Sequence, residues 1–305
     1  MPEEVYMHTI AENLNVINRK IGAAFKNKED GPIKTMVEGI IKAEPDWIDI
    51  NLGPARKNGA ELMPWLVETL EGMTDIPVVL DTINVDAIKA GLEKAKKNPP
   101  LINSIMARPD RYDVLLPLAA EHKAYWVALM WGPNGMARDA NERAELTTEL
   151  IMKALELGID CEYAYVDPII TPVNIQQDQL MNNLEFFAML PDIIAALQPG
   201  HMTKSTNGLS NISNGNPDHL RSILNRAYLC MLQKNGMYSC IVDAFDQDIV
   251  DLCHGKSKWF SDLVTGVMEG KEYDYSTMKK EEVDCVKTAK VILGHSLFSA
   301  SWLDI

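Results

Sequence analysis

The sequence predicts a (β/α)8 barrel in one domain over residues 1–305, and three observations point there. The chain has 305 residues, and a barrel of eight βα units takes about 250. Short runs rich in Val, Ile, Tyr and Leu alternate with longer segments whose apolar residues recur three and four apart, the pattern of repeated strand and helix. The short runs number eight.

In chain order, VYMHTIA (5–11) opens the series. WIDINL (47–52) and IPVVLDT (76–82) set β-branched residues around an acid. LINSIM (101–106) and YWVALMW (125–131) are nearly continuous apolar runs. CEYAYVD (161–167) ends on an acid followed by proline, and SCIVDA (239–244) closes the set. The seventh candidate, TKSTNGLS (203–210), is polar and contains a glycine; it is retained because the unit count and its neighbours require an extended segment there. Between the strands, PIKTMVEGIIKAE, VDAIKAGLEKAKK, ANERAELTTELIMKALELG and PDHLRSILNRAYLCMLQKNG carry helical periodicity, several of them closing on a glycine stop. The barrel occupies about 5–256. The extension at about 257–305 exceeds what an eighth helix needs, so it adds one or two helices packed on the barrel or on a second subunit. Its last apolar segment, VILGHSLFSASWL, suits a homodimer interface or a cover for the barrel's own flank.

Composition narrows the partners. With 47% hydrophobic and 24% charged residues the chain is an ordinary globular protein, and its net charge of −14 disfavours nucleic acid, whose phosphates need clustered Lys and Arg. The five cysteines are odd in number and show no metal spacing, so they read as reduced thiols of a cytoplasmic protein. The start MPEEVYMHTI is acidic and lacks the apolar core of a signal peptide, and no run of about 18 apolar residues is expected to span a bilayer.

Chemistry in such a barrel sits at the C-terminal ends of the strands. There the sequence places Glu12, Asn13 and Asn15; Asp49 and Asn51; Asp81 and Asn84; Asn103 and Ser104; Asp167; Asn207 and Asn211; and Asp243. A ring of carboxylates and carboxamides converging on one mouth suits a neutral, nitrogen-rich heterocycle with several N–H donors. Asp49, Asp81, Asp167 and Asp243 would also make an oxygen cage for Mg2+, but no His/Glu motif supports a metal, and none is expected. Gly53, Pro54, Pro168 and Pro172 are read first as turn residues, and Asp49 suits a loop cap as well as a ligand contact.

DINLGP, VVLDTIN, LINSIMA, YVDPIITP and NGLSNIS, in this order, resemble the pterin-binding methyltransferases that use methyltetrahydrofolate and corrinoid proteins, relatives of the corrinoid iron-sulfur protein methyltransferase and of the folate domain of methionine synthase. The resemblance runs from about residue 8 to about residue 250. It implies a barrel of the dihydropteroate synthase type with the pterin in its mouth. On matching positions it implies that Asp81, Asn103 and Asp167 bind the pterin amino group and ring nitrogens, and that Asn211 is the catalytic residue approaching N5. It further implies that Asp49, Asn51 and Asp243 line the pocket; Glu12, Asn15, Asn84 and Ser104, from their places at the strand ends, and Asn214, three residues after Asn211, are expected to complete the substrate contacts. The implied substrate is tetrahydrofolate or methyltetrahydrofolate; the implied cofactor is a corrinoid, such as cobalamin, on a partner protein, because the chain carries no DxHxxG signature.

Dihydropteroate synthase is disfavoured, since it needs a Lys after strand seven and an Arg/His pair at strand eight, where this chain reads GLSNIS and IVDA. Asn214 replaces the Gln common in the iron-sulfur-partner branch, and the tail is longer. These departures favour a tetrahydrofolate-methylating component of an anaerobic demethylation system, such as O-demethylation, over the acetyl-CoA-pathway enzyme. A non-catalytic pterin-binding subunit is the alternative from another class.

Overall fold

The computed structural model describes residues 6–304. Val5, where the first predicted strand begins, lies outside the described residues. Eight parallel strands form one sheet: β1 (His8–Asn15), β2 (Trp47–Gly53), β3 (Val78–Thr82), β4 (Leu101–Met106), β5 (Tyr125–Leu129), β6 (Ala164–Asp167), β7 (Lys204–Ser205) and β8 (Ser239–Val242). The order is β8-β1-β2-β3-β4-β5-β6-β7. Its two edges meet where the Ile241 amide donates to the Asn207 carbonyl at 2.8 Å, beside a parallel bridge from Gly208 to Ile241. The predicted barrel is therefore closed.

The helices are α1 (Arg19–Asn27), α2 (Asp30–Lys42), α3 (Gly59–Glu71), α4 (Val85–Lys94), α5 (Pro109–His122), α6 (Ala140–Glu156), α7 (Asp178–Leu197), α8 (Asp218–Lys234), α9 (Gln247–Cys253), α10 (Lys258–Met268) and α11 (Lys280–Ile292). Local chemistry sets several boundaries. Asn18 accepts from the Lys20 and Ile21 amides to cap α1, and Pro109 opens α5 where its missing N–H costs nothing. Gly91 lets α4 approach α3: a Cβ there would meet Met63 Cγ at 2.7 Å.

Three predicted strands differ most in extent. β1 runs on to Asn15 because its register with β2 slips between Ala11 and Leu14, so Glu12 and Asn15 lie within the strand and not in the following loop. Residues 161–163 form a 3-10 turn ahead of β6. β7 is reduced to Lys204–Ser205, since its polar, glycine-containing continuation forms single bonds, such as Thr206 N to Val166 O at 3.0 Å, in place of a regular ladder.

Side chains two apart share a face of a strand, and this period sorts the barrel into layers. Ile48, Ile50, Leu80, Ile102, Val166 and Val242 belong to the main core outside the sheet. Ile10, Trp47, Val79, Leu101, Val127, Tyr165 and Ile241 form a separate apolar plug inside it. One step of two along each strand above that plug stand Glu12, Asp49, Asp81, Asn103, Asp167 and Asp243. The plug is what lifts the polar set to the C-terminal mouth.

Helix α7 has 20 residues and an 18-residue window of mean hydropathy 1.3, so by length and composition only it is long and apolar enough to cross a membrane, a test that a buried core helix also meets. In this fold Leu184, Phe187, Leu190 and Ile194 are buried, and Asp178, Glu185 and Asp192 are exposed. In the extension, α10 and α11 pack on α8. The final segment covers the protein's own flank: Trp302 Nε1 donates to Thr288 Oγ1 at 2.9 Å, and the Phe298 amide to Gln177 Oε1 at 3.1 Å. All five cysteines are buried and unpaired.

Candidate substrate site in the barrel mouth

Two acids and two carboxamides from β2, β3 and β4 meet on one side of the mouth. Asn51 Nδ2 donates to Asp81 Oδ2 at 2.5 Å, and Asn103 Nδ2 approaches the same oxygen at 3.4 Å. Asn51 Oδ1 meanwhile accepts from the Gly53 amide at 2.9 Å, which fixes its amide orientation. Asp49 is buried behind Asp81. Burial first, then the charge of Asp81 and that of Glu12, hold its carboxyl well above the usual range. Asp81 is also raised, chiefly by burial and further by the charge of Glu12.

The opposite wall comes from β6 and the segment after β7. Asp167 Oδ1 accepts from the Ile169 amide at 2.8 Å and from Asn207 Nδ2 at 2.9 Å. Burial pushes this acid up to about 6 against those two bonds and the charge of Arg143. Arg143 is itself buried and committed elsewhere, donating to the Pro168 carbonyl at 3.0 Å and to Gln179 Oε1 at 2.9 Å, so it braces the corner that carries Asp167. Asp49 Oδ1 and Asn207 Oδ1 are buried acceptors with no protein partner; N–H donors of a ligand would satisfy them.

At the β1–β8 seam Glu12 is pushed up to about 7 by burial and by the charge of Asp243, against a hydrogen bond from Ser210 and the charge of Arg221. Asn13 ties the seam, accepting from the Ala244 amide at 2.9 Å and donating to Asp243. Asn211 sits in the 3-10 turn Leu209–Ser213. Its Oδ1 accepts from Asn214 Nδ2 at 3.1 Å, which turns Nδ2 the other way, against Gly208, where a Cβ would meet it at 3.0 Å.

Residues 40–243, well over half of the chain, match the family model described as "Pterin binding enzyme". The chain belongs to the pterin-binding enzyme family. Among curated proteins it is similar to the methylcorrinoid:tetrahydrofolate methyltransferase of Eubacterium limosum, 25% identical over 246 residues that cover 80% of this chain and 88% of that protein. It is also similar to methionine synthase of Mycobacterium leprae, 29% identical over 205 residues, which are 65% of this chain and 17% of that much longer protein. The expectation of a methyltransferase agrees with both names. Among solved structures, dihydropteroate synthase from Xanthomonas albilineans, in complex with 7,8-dihydropteroate, superposes with a TM-score of 0.58 over 81% of this chain and 92% of that one at 18% identity; this shows the shared fold.

In this pterin-binding enzyme the mouth gathers Asp49, Asn51, Asp81, Asn103 and Asp167, with Glu12 at the seam. It does not gather every residue the sequence suggests. Asn84 caps α4, accepting from the Asp86 and Ala87 amides, and donates to the Ala55 carbonyl at 2.7 Å; with both ends of its amide on backbone it shapes the β3–α4 loop. Asn15 Oδ1 closes a turn on the Ile17 amide at 2.9 Å. Asp243 is exposed and holds the Phe245 amide at 2.9 Å as well as Asn13, a brace for the seam. Ser104 is half-buried beside Asn103, and Asn214 is exposed and reaches the site through Asn211. Asn207, placed by the sequence at the end of the seventh strand, braces Asp167, and one contributor stands out only in the structure: Arg143, on α6, whose role depends on a fold-level contact. Among the described residues no group of three or more His, Cys, Asp or Glu side chains is placed to hold a metal ion.

Proposed function

We propose that this protein moves a methyl group between N5 of tetrahydrofolate and the cobalt of a corrinoid on a separate protein, and that it works toward tetrahydrofolate in an anaerobic demethylation system. The observation that carries this reading is the mouth itself: carboxyls raised toward neutrality and carboxamides from several strands, two of whose buried oxygens lack partners. That set fits a pterin, whose amino group and ring N–H need acceptors and whose ring nitrogens and carbonyl need donors. Asp81, Asn103 and Asp167 contact the ring, with Asp49 and Asn51 holding Asp81 in place. Asn211 would offer its Nδ2 to N5, where it orients the lone pair or stabilises charge that develops in the transition state, a contribution of roughly 10²-fold for a preorganised donor.

The corrinoid supplies the cobalt that gives up or accepts the methyl group. What this chain contributes is alignment, since holding N5 in line with the incoming carbon replaces a bimolecular encounter. Phosphate-binding cations are missing from GLSNIS and IVDA, which argues against dihydropteroate synthesis. The similarity to a methylcorrinoid:tetrahydrofolate methyltransferase supports the demethylating direction over the iron-sulfur-protein partner, and the Asn211 amide argues against a mere pterin carrier.

The test is anaerobic and spectroscopic: the protein is mixed with methyltetrahydrofolate and reduced cobalamin, and then with tetrahydrofolate and methylcobalamin, while the cobalamin absorbance is followed. Protein-dependent transfer that fails in Asn211→Ala supports the assignment. Failure to bind tetrahydrofolate at all would overturn the roles of Asp81, Asn103 and Asp167.

A further inference from the structure

Methylating tetrahydrofolate liberates a proton. The N5–H nitrogen forms a bond to the methyl carbon, the cobalt–carbon bond breaks with its electron pair left on cobalt, and N5 then carries one hydrogen too many. A partner protein seated over the mouth, as the proposed function requires, blocks release of that proton straight to solvent. The structure offers a side exit. Between β1, β8, α8 and the start of α9 lies a cavity with about 30 Å³ for water, lined by Glu12, Ser210, Asn225, Asp243 and Asp246, room for about two waters. Asn225 Oδ1 is buried at this place with no protein partner. Glu12 lines this cavity and, two residues beyond the inward Ile10, shares the layer of Asp49 and Asp81, within electrostatic reach of both.

We propose that Glu12 is the base that takes the N5 proton and passes it to water in this side cavity, with the Ser210 hydroxyl as the link to the neighbouring Asn211. The inference rests on the methyltransferase reading. The carboxylate of Glu12 gains the proton, N5 returns to neutrality, and water in the cavity carries the proton past Asp243 and Asp246. The groups facing Glu12 suit that task. Burial and then the charge of Asp243 raise its affinity for a proton, Ser210 and Arg221 of α8 lower it, and the balance stands at about 7, where a general base works best near neutral pH. Asp246, on the far wall, is raised as well and caps α9 through the Ile249 amide.

The experiment follows methyl transfer from methylcobalamin to saturating tetrahydrofolate from pH 5.5 to 8.5, with tetrahydrofolate affinity measured separately. The wild-type rate should rise with pH about a midpoint near 7. Glu12→Gln should lower the plateau roughly 100-fold, abolish that midpoint and leave the affinity unchanged, while Glu12→Asp should restore part of both rate and midpoint. Ser210→Ala removes a bond that favours the ionised acid, so its midpoint should move upward. Retention of rate and pH profile in Glu12→Gln, or a fall explained wholly by lost affinity, would overturn the role of Glu12 alone. Absence of transfer by the wild type, with tetrahydrofolate bound, would overturn the methyltransferase reading and the base with it.

Discussion

Removing the charge of Glu12 should stabilise the ligand-free protein at alkaline pH, and the size of the gain follows from its surroundings. Glu12 binds its proton up to about 7 in the folded protein, against 4.5 when unperturbed. Between those values the folded state keeps a proton that the unfolded chain has released. Stability is therefore lost as pH rises, fully present below 4.5 and gone above about 7. At about 1.4 kcal/mol per pH unit the whole effect is about 3 kcal/mol, of which the part between about pH 5.5 and 8 is about 2 kcal/mol. With an unfolding entropy near 2.1 cal/mol/K per residue, or about 0.6 kcal/mol/K for this chain, that is about 3 °C. Glu12→Gln lacks the titration, so its melting temperature relative to wild type should climb by about that amount from pH 5.5 to pH 8, as read by thermal unfolding at several pH values. Asp49 and Asp81, whose proton affinity the charge of Glu12 raises, also release their protons more readily in the variant, which adds to the same trend. A difference independent of pH would refute the burial and charge argument for Glu12.

Three further outcomes are expected. Asn211→Ala should cut methyl transfer roughly 100-fold while tetrahydrofolate binding, measured by calorimetry, persists. Tetrahydrofolate affinity should rise with pH through about 6, because the N–H groups of the pterin call for the ionised form of Asp167, and Asp167→Asn should flatten that rise; titrations at pH 5.5 and 7.5 decide it. Asn84→Ala should cost about 1 kcal/mol of stability through loss of the α4 cap and leave KM for tetrahydrofolate unaltered, which separates a cap from a substrate contact in one denaturation curve and one kinetic series.

The strand count, the central helices and the acids at the strand ends were legible because period two and period 3.6 are written locally. Residues such as Asp81 and Asn103 sit two positions beyond an inward apolar residue, so their placement followed from the pleat once the strand was recognised. Asn84 looked like its neighbours in composition, and only the backbone of the β3–α4 loop revealed that its amide is engaged at both ends. β1 extends past Ala11 through a register slip that no sequence period encodes, and β7 shortens because its polar run forms no ladder.

Local sequence pattern carries a (β/α)8 barrel, a mouth rich in carboxylates and carboxamides, and the resemblance to a pterin-binding family. Tertiary structure decided which of those groups interact and in what protonation state. The coupling of Asp49 with Asp81, the bracing of Asp167 by Asn207, and the position of Glu12 at the side cavity and within reach of Asp49 and Asp81 all join residues far apart in the chain. Burial and mutual charge, which set the proton affinities of these acids, exist only once the barrel has closed and drawn the strand ends together.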